Sequence, residues 1–313
     1  MKNQVSIIMY HYVRELKNSH FPEIKGLSII SFRKQLKYLM KFCNIISMEE
    51  LIYSLKSGNN LPKRAVLLTF DDGYADHFTN VFPLLNESGI SGSFFPPVKA
   101  VIRSQVLDVN KIHFILASVN DKQKLAEEIF LLLDEYRQKH SLKDNRYYFK
   151  KLAIKDCLDP KEVVFIKGML QKELPKDLRN KITGRLFNKY VTKDEKGFCN
   201  ELYLNAAQLK CMKKNGMHIG NHAFSHSWLN DMDEDSQEEE IALSLNFLHD
   251  AIGCNIKEWV MCYPYGGYDD SLLRVIKNKG CIAGLTAEPR IADLSSDNPL
   301  TLPRLDTNDL LNK

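Results

Sequence analysis

The stretch AVLLTFDDG, residues 65–73, decides the fold class of this 313-residue chain. Its first six residues are almost continuously apolar, which is typical of a parallel strand that is covered on both faces. The strand pattern ends at Asp71 and Asp72, and a glycine follows. Because α/β proteins place their functional residues at the carboxyl ends of parallel strands, the stretch predicts a buried strand with a candidate site at its end.

Six further apolar runs repeat this pattern along the chain, and helical patterns lie between them. Ser31 is expected to cap the first helix, and Ser236 with Glu239 to form a capping box further on. Alternating strands and helices imply right-handed crossovers in a parallel sheet or barrel. About seven such units favour a barrel, although periodicity alone does not decide between the two. The runs are VSIIMY (5–10), GSFFPPV (92–98), MHIGNH (217–222), WVMCYPY (259–265), CIAGLTA (281–287) and TLPRL (301–305).

Residues 103–204 interrupt the strand rhythm. They contain no convincing strand pattern, whereas residues 121–140 place apolar side chains on one helical face. We therefore expect one barrel domain over residues 1–313 with a helical insertion at 103–204. A structural cap and a substrate lid or dimer surface are equally compatible roles for the insertion.

Composition excludes several classes of protein. Hydrophobic residues make up 44% and charged residues 26%, with a net charge of +4, as in ordinary soluble proteins. The sequence lacks the dense basic stripe with interleaved aromatic residues that would indicate a nucleic-acid partner. No run approaches the roughly 18 apolar residues of a transmembrane segment, and residues 5–10 are too short for a secretory signal. Seven scattered cysteines without a CxxC pair fit reduced thiols, so we expect a cytoplasmic location.

A histidine pair supplies the second chemical signal. In MHIGNHAFSHSWL, residues 217–229, His222 and His226 follow an apolar run. One helical turn or a tight loop would bring both imidazoles to the same side, as two ligands of one divalent metal require. With Asp72 at the end of another strand, they predict an Asp/His/His metal site that leaves a coordination position open for water.

A third signal is the turn in VMCYPYGGYDD, residues 260–270. Pro-Tyr-Gly-Gly after an apolar strand forms a rigid turn that can direct backbone N–H groups into a site. By itself the same turn would be an ordinary connection from a strand to a helix.

These three motifs, in this order, resemble those of the polysaccharide deacetylase family with NodB homology, also called carbohydrate esterase family 4. TFDDG, H-x-x-x-H and YPYG match the first three motifs of that family, and the resemblance covers most of the chain outside the insertion. It implies an α/β fold, a distorted TIM-like (β/α)7 barrel with a helical insertion. It also implies a metal-dependent carbohydrate N-deacetylase.

The resemblance implies a role for each matching position. Asp71 would be the catalytic base, and Asp72, His222 and His226 would bind the divalent metal, usually Zn²⁺, with Co²⁺ or Ni²⁺ as alternatives. The backbone N–H of Tyr265 would help to hold the oxyanion. These roles agree with the chemistry, because an amide needs a polarised carbonyl, an activated water and a proton for the leaving amine.

The chain departs from the family pattern at the general acid and at an arginine. The late Leu-x-His motif is missing from TLPRLDTND, whereas His11 follows the first apolar run. This resembles a circularly permuted branch that includes poly-N-acetylglucosamine deacetylases, and it implies that His11 is the general acid; the alternative is a packed structural histidine. Residues 258–260 lack the usual arginine, and Arg304 is a candidate charge partner for Asp71.

Two aromatic residues near the motifs, Tyr74 and Trp228, are candidate walls for a sugar ring, although such residues are as often part of a core. The expected substrate is an N-acetylated amino sugar or sugar conjugate, in particular a precursor in surface-glycan synthesis. Deformylation, cyclic-amide hydrolysis and an inactive carbohydrate-binding protein remain alternatives. The sequence leaves the oligomeric state open, and a homo-oligomer is compatible with it.

Overall fold

The structure is a computed structural model that describes residues 3–103, 105–154 and 159–307. The chain forms two compact units. The first comprises Met1–Glu15, Gly26–Gln105 and Cys199–Lys313, and the second comprises Leu16–Lys25 and Val106–Phe198. Every candidate site residue belongs to the first unit.

The strands are mostly short, and β1 and β5 are the longest. They are β1 (Gln4–Tyr10), β2 (Val13–Arg14), β3 (Leu27–Ser28), β4 (Asn44–Ile46), β5 (Ala65–Asp71), β6 (Ser93–Phe95), β7 (His218–Ile219), β8 (Trp259–Cys262), β9 (Cys281–Leu285), β10 (Ala292–Asp293) and β11 (Leu305–Asp306).

Helices connect most of these strands. The first unit contains α1 (Ile29–Phe42), α2 (Met48–Ser57), α3 (Phe82–Glu87), α4 (Val98–Arg103), α11 (Ala206–Lys214), α12 (Glu234–Phe247) and α13 (Asp270–Asn278). The second contains α5 (Asp108–Ser118), α6 (Lys122–Tyr136), α7 (Asn145–Leu152), α8 (Lys161–Gly168) and α9 (Lys176–Tyr190), and α10 (Glu195–Leu202) crosses the boundary in sequence.

Strand pairing gives a mixed α/β architecture with a parallel core. β1 pairs with β5 and β11, β5 with β6, β6 with β7, and β8 with β9, all parallel. Single parallel bridges, Asn221 to Met261 and Leu285 to Leu302, connect these groups. The mixed α/β class is therefore confirmed, while continuous pairing does not close a barrel among the described residues.

Both faces of β5 are buried, which explains its continuous apolar sequence. Val66, Leu68 and Phe70 pack in one core cluster, with side chains from α1, α3 and α11. Ala65 and Leu67 pack in another, with side chains from β8 and β9. Because side chains alternate along a strand, Asp71 lies on the same face as the second set.

Two predicted caps are wrong. The N-cap of α1 is Ser28, whose hydroxyl accepts the backbone N–H of Ser31. The N-cap of α12 is Asp233, whose carboxylate accepts the N–H of Ser236. Each helix begins earlier than its hydrophobic periodicity indicates. Its first residue is set by the polar side chain that accepts the free N–H groups of the first turn, and this side chain lies three residues before the predicted cap.

The predicted strand at 301–305 is also mostly wrong. A 3₁₀ turn occupies Pro299–Thr301, and only Leu305–Asp306 forms a strand. Pro299 and Pro303 lack the N–H that a regular sheet ladder needs, so the pairing of this segment is limited to a bridge at Leu302 and to the short strand at its end.

The second unit contains no strand among its described residues. In α6, a buried face is formed by Leu125, Ile129, Leu132 and Leu133. The six described cysteines are free thiols, and Cys157 lies outside the described residues. None of the helices in the described ranges combines the length and apolarity needed to cross a bilayer.

Candidate functional site

The parallel register brings the predicted site residues together at the carboxyl ends of the strands. Tyr10 pairs with Phe70, so the next residues, His11 and Asp71, lie on adjacent strands at the same level. Further along the sheet, Asn221 pairs with Met261, which places His222 beside the end of β8.

The two adjacent aspartates diverge because the backbone changes conformation between them. Asp71 is the last residue of β5, whereas Asp72 has a φ of 68° and begins a turn. Gly73 follows with a φ of 62°, and a Cβ at this position would lie 2.7 Å from Cβ of Pro96. The turn therefore requires glycine, and it directs the two carboxylates to different partners.

Asp72, His222 and His226 form one compact, buried group. The Asp72 Oδ1 atom lies 3.4 Å from Nε2 of His222 and 3.1 Å from Nε2 of His226. The exposed fractions of the three residues are 3%, 2% and 8%. Three potential ligand atoms therefore converge on one point, as metal binding requires.

The histidines do not lie on a helical turn. The chain from Asn221 to Trp228 forms a loop in which Ala223 and His226 have φ values of 60° and 56°. Of the two conformations that the sequence allowed for this histidine pair, a helical turn or a tight loop, the structure has the loop.

The geometry tests whether this group suits a divalent metal. Asp72 Oδ1 is buried without a hydrogen-bond partner in the structure. Nδ1 of His222 donates to the Cys262 carbonyl at 2.7 Å. Because Nδ1 carries the proton, the lone pair of Nε2 faces Asp72 and is available to a metal. The three residues fit a metal ion.

A second group, Asp71, His222 and Cys262, also has its ligand atoms within 4.8 Å of one another. It is the poorer choice for two reasons. Burial raises the pKa of the Cys262 thiol, which opposes formation of the thiolate that binds metals. Both oxygens of Asp71 are already bonded to Arg304. We therefore assign the candidate metal centre to the group that contains Asp72.

Arg304 forms a bidentate pair with Asp71. Its two terminal nitrogens donate to the two carboxylate oxygens at 2.9 and 2.8 Å, and its Nε donates to the Thr286 carbonyl at 2.8 Å. Arg304 is 1% exposed. Burial would raise the pKa of Asp71, but the guanidinium outweighs it and lowers this pKa to about 2. The structure thus brings together the carboxylate and the cation that the sequence proposed as partners.

His11 lies half-buried beside both carboxylates, where a positive charge on its ring lowers the pKa of each. Its backbone carbonyl accepts a hydrogen bond from Nε2 of His77 at 2.8 Å. His77 is fully buried and packs against Phe70. No local pattern in the sequence connects His77 to His11.

Tyr74 has a different position from the one expected. It is fully buried, so it does not form a wall for a sugar ring. Its hydroxyl donates to Oδ2 of Asp72 at 2.5 Å, and its ring stacks on Tyr12 with centroids 4.0 Å apart. Burial, followed by the charge of Asp72, raises the pKa of Tyr74 well above its usual value and keeps the hydroxyl protonated. Tyr74 therefore fixes the orientation of the Asp72 carboxylate.

Tyr265 lies in a 3₁₀ turn after β8, with a φ of 59°. Its ring stacks on Trp228 at a centroid distance of 4.3 Å and an angle of 5°, and it meets the ring of His226 edge-on at 4.8 Å. Both aromatic rings are partly exposed. The YPYG turn and Trp228 thus lie at the histidine side of the candidate metal centre.

Comparison with known protein families agrees with this arrangement. The family model described as polysaccharide deacetylase matches residues 58–114 and 180–283, which contain both the aspartate motif and the histidine motif. The chain belongs to the polysaccharide deacetylase family. Of the candidate site residues, only His11 and Arg304 lie outside the matched segments.

Two kinds of relative accompany this family membership. A 40-residue stretch is 45% identical to the poly-β-1,6-N-acetyl-D-glucosamine N-deacetylase of Escherichia coli strain K12, over 13% of this chain and 6% of that enzyme. Solved structures match over nearly the whole chain at low identity, which shows a shared fold. The deacetylase PplD of Streptococcus pyogenes, solved with acetate, has a TM-score of 0.60 at 17% identity, covering 98% of this chain and 93% of that one. IcaB from Ammonifex degensii has a TM-score of 0.57 at 16% identity, covering 97% and 92%.

Proposed function

We propose that this family member is a metal-dependent hydrolase that removes the N-acetyl group from an amino sugar or sugar conjugate. One observation carries the proposal. The candidate metal ligands Asp72, His222 and His226 converge at the same strand ends as the ionised Asp71, which is held by Arg304. A cation site beside a separate carboxylate base is the arrangement that amide hydrolysis needs.

The metal would be held by one oxygen of Asp72 and by Nε2 of both histidines. We propose Zn²⁺, with Co²⁺ and Ni²⁺ as alternatives, because two imidazoles and one carboxylate suit all three ions. When bound, such an ion polarises a carbonyl and lowers the pKa of water. Tyr74 donates to the other oxygen of Asp72 and so keeps the carboxylate in one orientation.

The surrounding residues have separate roles in the proposal. Asp71 accepts a proton from the attacking water, and it is ionised throughout the neutral range because Arg304 lowers its pKa. His11 donates a proton to the departing amine. The Tyr265 N–H donates to the oxyanion that develops on the carbonyl oxygen.

The substrate class follows from the family and from the names of the relatives. The E. coli relative is a deacetylase of poly-β-1,6-N-acetyl-D-glucosamine, so an N-acetylglucosamine unit is the first substrate to test. We propose a role in surface-glycan synthesis, with the sugar free, nucleotide-linked, lipid-linked or polymeric. The position of His11 directly after the first strand supports placing the chain in the permuted branch of the family.

The test measures release of acetate and of formate from matched N-acetyl and N-formyl glucosamine compounds, including short β-1,6-linked oligomers. We expect acetate release by the Zn²⁺-loaded protein, and its loss in Asp71→Asn and His11→Ala variants that keep their metal. Formate release alone would favour the deformylase alternative. Glycan binding without turnover or a metal requirement would favour an inactive binding protein.

A further inference from the structure

The loop that carries the two histidines is held by side chains outside the metal site. Three consecutive backbone N–H groups, those of Ala223, Phe224 and Ser225, donate to side-chain oxygens. Oδ1 of Asn221 accepts the first at 2.7 Å. A single oxygen, Oε2 of Glu240, accepts the second at 3.1 Å and the third at 2.8 Å. Glu240 belongs to α12, which follows this loop in the chain.

This loop needs external support because its conformation is unfavourable on its own. Ala223 and His226 both have left-handed φ values, which residues with a Cβ adopt at a cost. The N–H groups between them belong to neither a helix nor a sheet, so each requires another acceptor. Consecutive N–H groups around a left-handed residue form a concave donor site for an anion, and the Glu240 carboxylate occupies that position.

The same helix contributes further contacts. Ser244, one helical turn after Glu240, donates its hydroxyl to Oδ1 of Asn221 at 3.1 Å. On the other side of the loop, the Phe224 carbonyl accepts the backbone N–H of Lys99 at 2.8 Å. The loop is thus fixed from both sides, and Glu240 brings a charged acceptor to the segment between the two histidines.

The described hydrogen bonds of the Glu240 carboxylate are those to the histidine loop. Its side chain forms no ion pair with a cation in the part of the chain that the structure describes, and it does not belong to either candidate metal group. The neighbouring Glu239 has the same charge on the same helix, but it is exposed and forms no hydrogen bond with the described residues of the histidine loop. The two glutamates therefore form a matched pair for an experiment.

We propose that Glu240 is a positioning residue for the metal centre. By accepting the N–H groups of Phe224 and Ser225, its carboxylate holds the turn that presents His222 and His226 to Asp72. Removal of this acceptor lets the loop relax toward ordinary backbone angles. The imidazole of His226 then moves away from that of His222. The inference rests on the proposed function, since it needs a metal at this site.

The experiment measures Co²⁺ affinity of the full-length protein by competition with a chromophoric chelator, together with the visible absorption bands of bound Co²⁺. Removal of groups that orient metal ligands commonly weakens binding 10- to 100-fold. We expect a loss in about this range for Glu240→Ala, with altered Co²⁺ bands, and wild-type behaviour for Glu239→Ala. Glu240→Gln keeps one acceptor oxygen and should show an intermediate affinity.

Three results would overturn the inference. Equal Co²⁺ affinity and bands in wild type and Glu240→Ala would show that the carboxylate does not position the histidines. A lower unfolding temperature of the metal-free Glu240→Ala protein with unchanged affinity would indicate a structural role only. If Glu240→Ala does not fold, Glu240→Gln provides the test. Faster hydrogen exchange of its loop amides would show that the loop is no longer held. Wild-type Co²⁺ affinity in that same folded variant would then contradict the inference. Failure of the wild type itself to bind Co²⁺ would instead contradict the proposed function.

Discussion

Strained backbone conformations concentrate at the candidate site. Six non-glycine residues of the described chain have positive φ, and four of them belong to the three motifs: Asp72, Ala223, His226 and Tyr265. Each costs on the order of 1 kcal/mol, and such strain persists only where surrounding contacts enforce it. Glu240 holds the loop between Ala223 and His226, and Tyr74 fixes the carboxylate of Asp72.

The Asp71–Arg304 pair predicts how activity depends on pH. In an Arg304→Gln variant, burial of Asp71 is no longer offset by the guanidinium, so the pKa of Asp71 should rise from about 2. Since the base must be ionised, kcat/KM of the variant should fall more steeply than that of the wild type as the pH decreases from 9 to 6. Breaking a buried pair should also cost about 3–5 kcal/mol of stability.

Arg304→Lys is the matched control, because it retains a cation near Asp71 without the bidentate geometry. It should show a smaller change in the pH profile than Arg304→Gln. Superimposable pH profiles of the wild type and both variants would exclude Arg304 from control of the base.

At the scale of elements, the end of β1 is coupled to the segment that follows β5. His77 lies in a short π-helical turn at His77–Val81, and its Nε2 donates to the carbonyl of His11 at the end of β1. Burial lowers the pKa of His77 to about 4, so this histidine remains neutral near pH 7. The bond thereby fixes the backbone that presents His11.

This buried histidine predicts an acid-sensitive contribution to stability. Its folded-state pKa of about 4 lies below the ordinary value of 6.5, so the unfolded chain binds the proton more readily. The contribution is fully present above pH 6.5 and is lost as the pH falls toward 4. Between pH 7 and 4.5, the wild type should lose about 2 kcal/mol more free energy of unfolding than His77→Gln.

Urea unfolding at the two pH values measures this difference. His249 is exposed, and His249→Gln serves as the control that removes a histidine without touching the buried site. An equal pH-dependent loss in the wild type and His77→Gln would mean that His77 does not resist protonation in the folded state.

Elements differed in how well the sequence predicted them. β5 was predicted closely because both of its faces are buried, so its entire sequence is apolar. The strands β7 and β11 have two residues each, too few to set a hydrophobic pattern, and the predicted runs there were too long. The caps of α1 and α12 were misplaced because several polar residues precede each helix and only the backbone geometry selects one.

At the scale of the molecule, the candidate site is assembled from distant segments. Asp71 and Arg304 are 233 residues apart in sequence and are joined through the strand ends of the first unit. The motifs predicted the metal group because its members lie in short, distinctive patterns. The contributions of Tyr74, His77 and Glu240 depend on hydrogen bonds in three dimensions, and the sequence carries no local pattern that reveals them.

The proposed chemistry depends most on the metal centre formed by Asp72, His222 and His226. Its most direct test is elemental analysis of the purified protein and of a His222→Ala/His226→Ala double variant, each reconstituted with Zn²⁺ and desalted. We expect about one Zn²⁺ per chain in the wild type and none above background in the variant. A wild type that retains no Zn²⁺, Co²⁺ or Ni²⁺, or a variant that retains as much as the wild type, would contradict it.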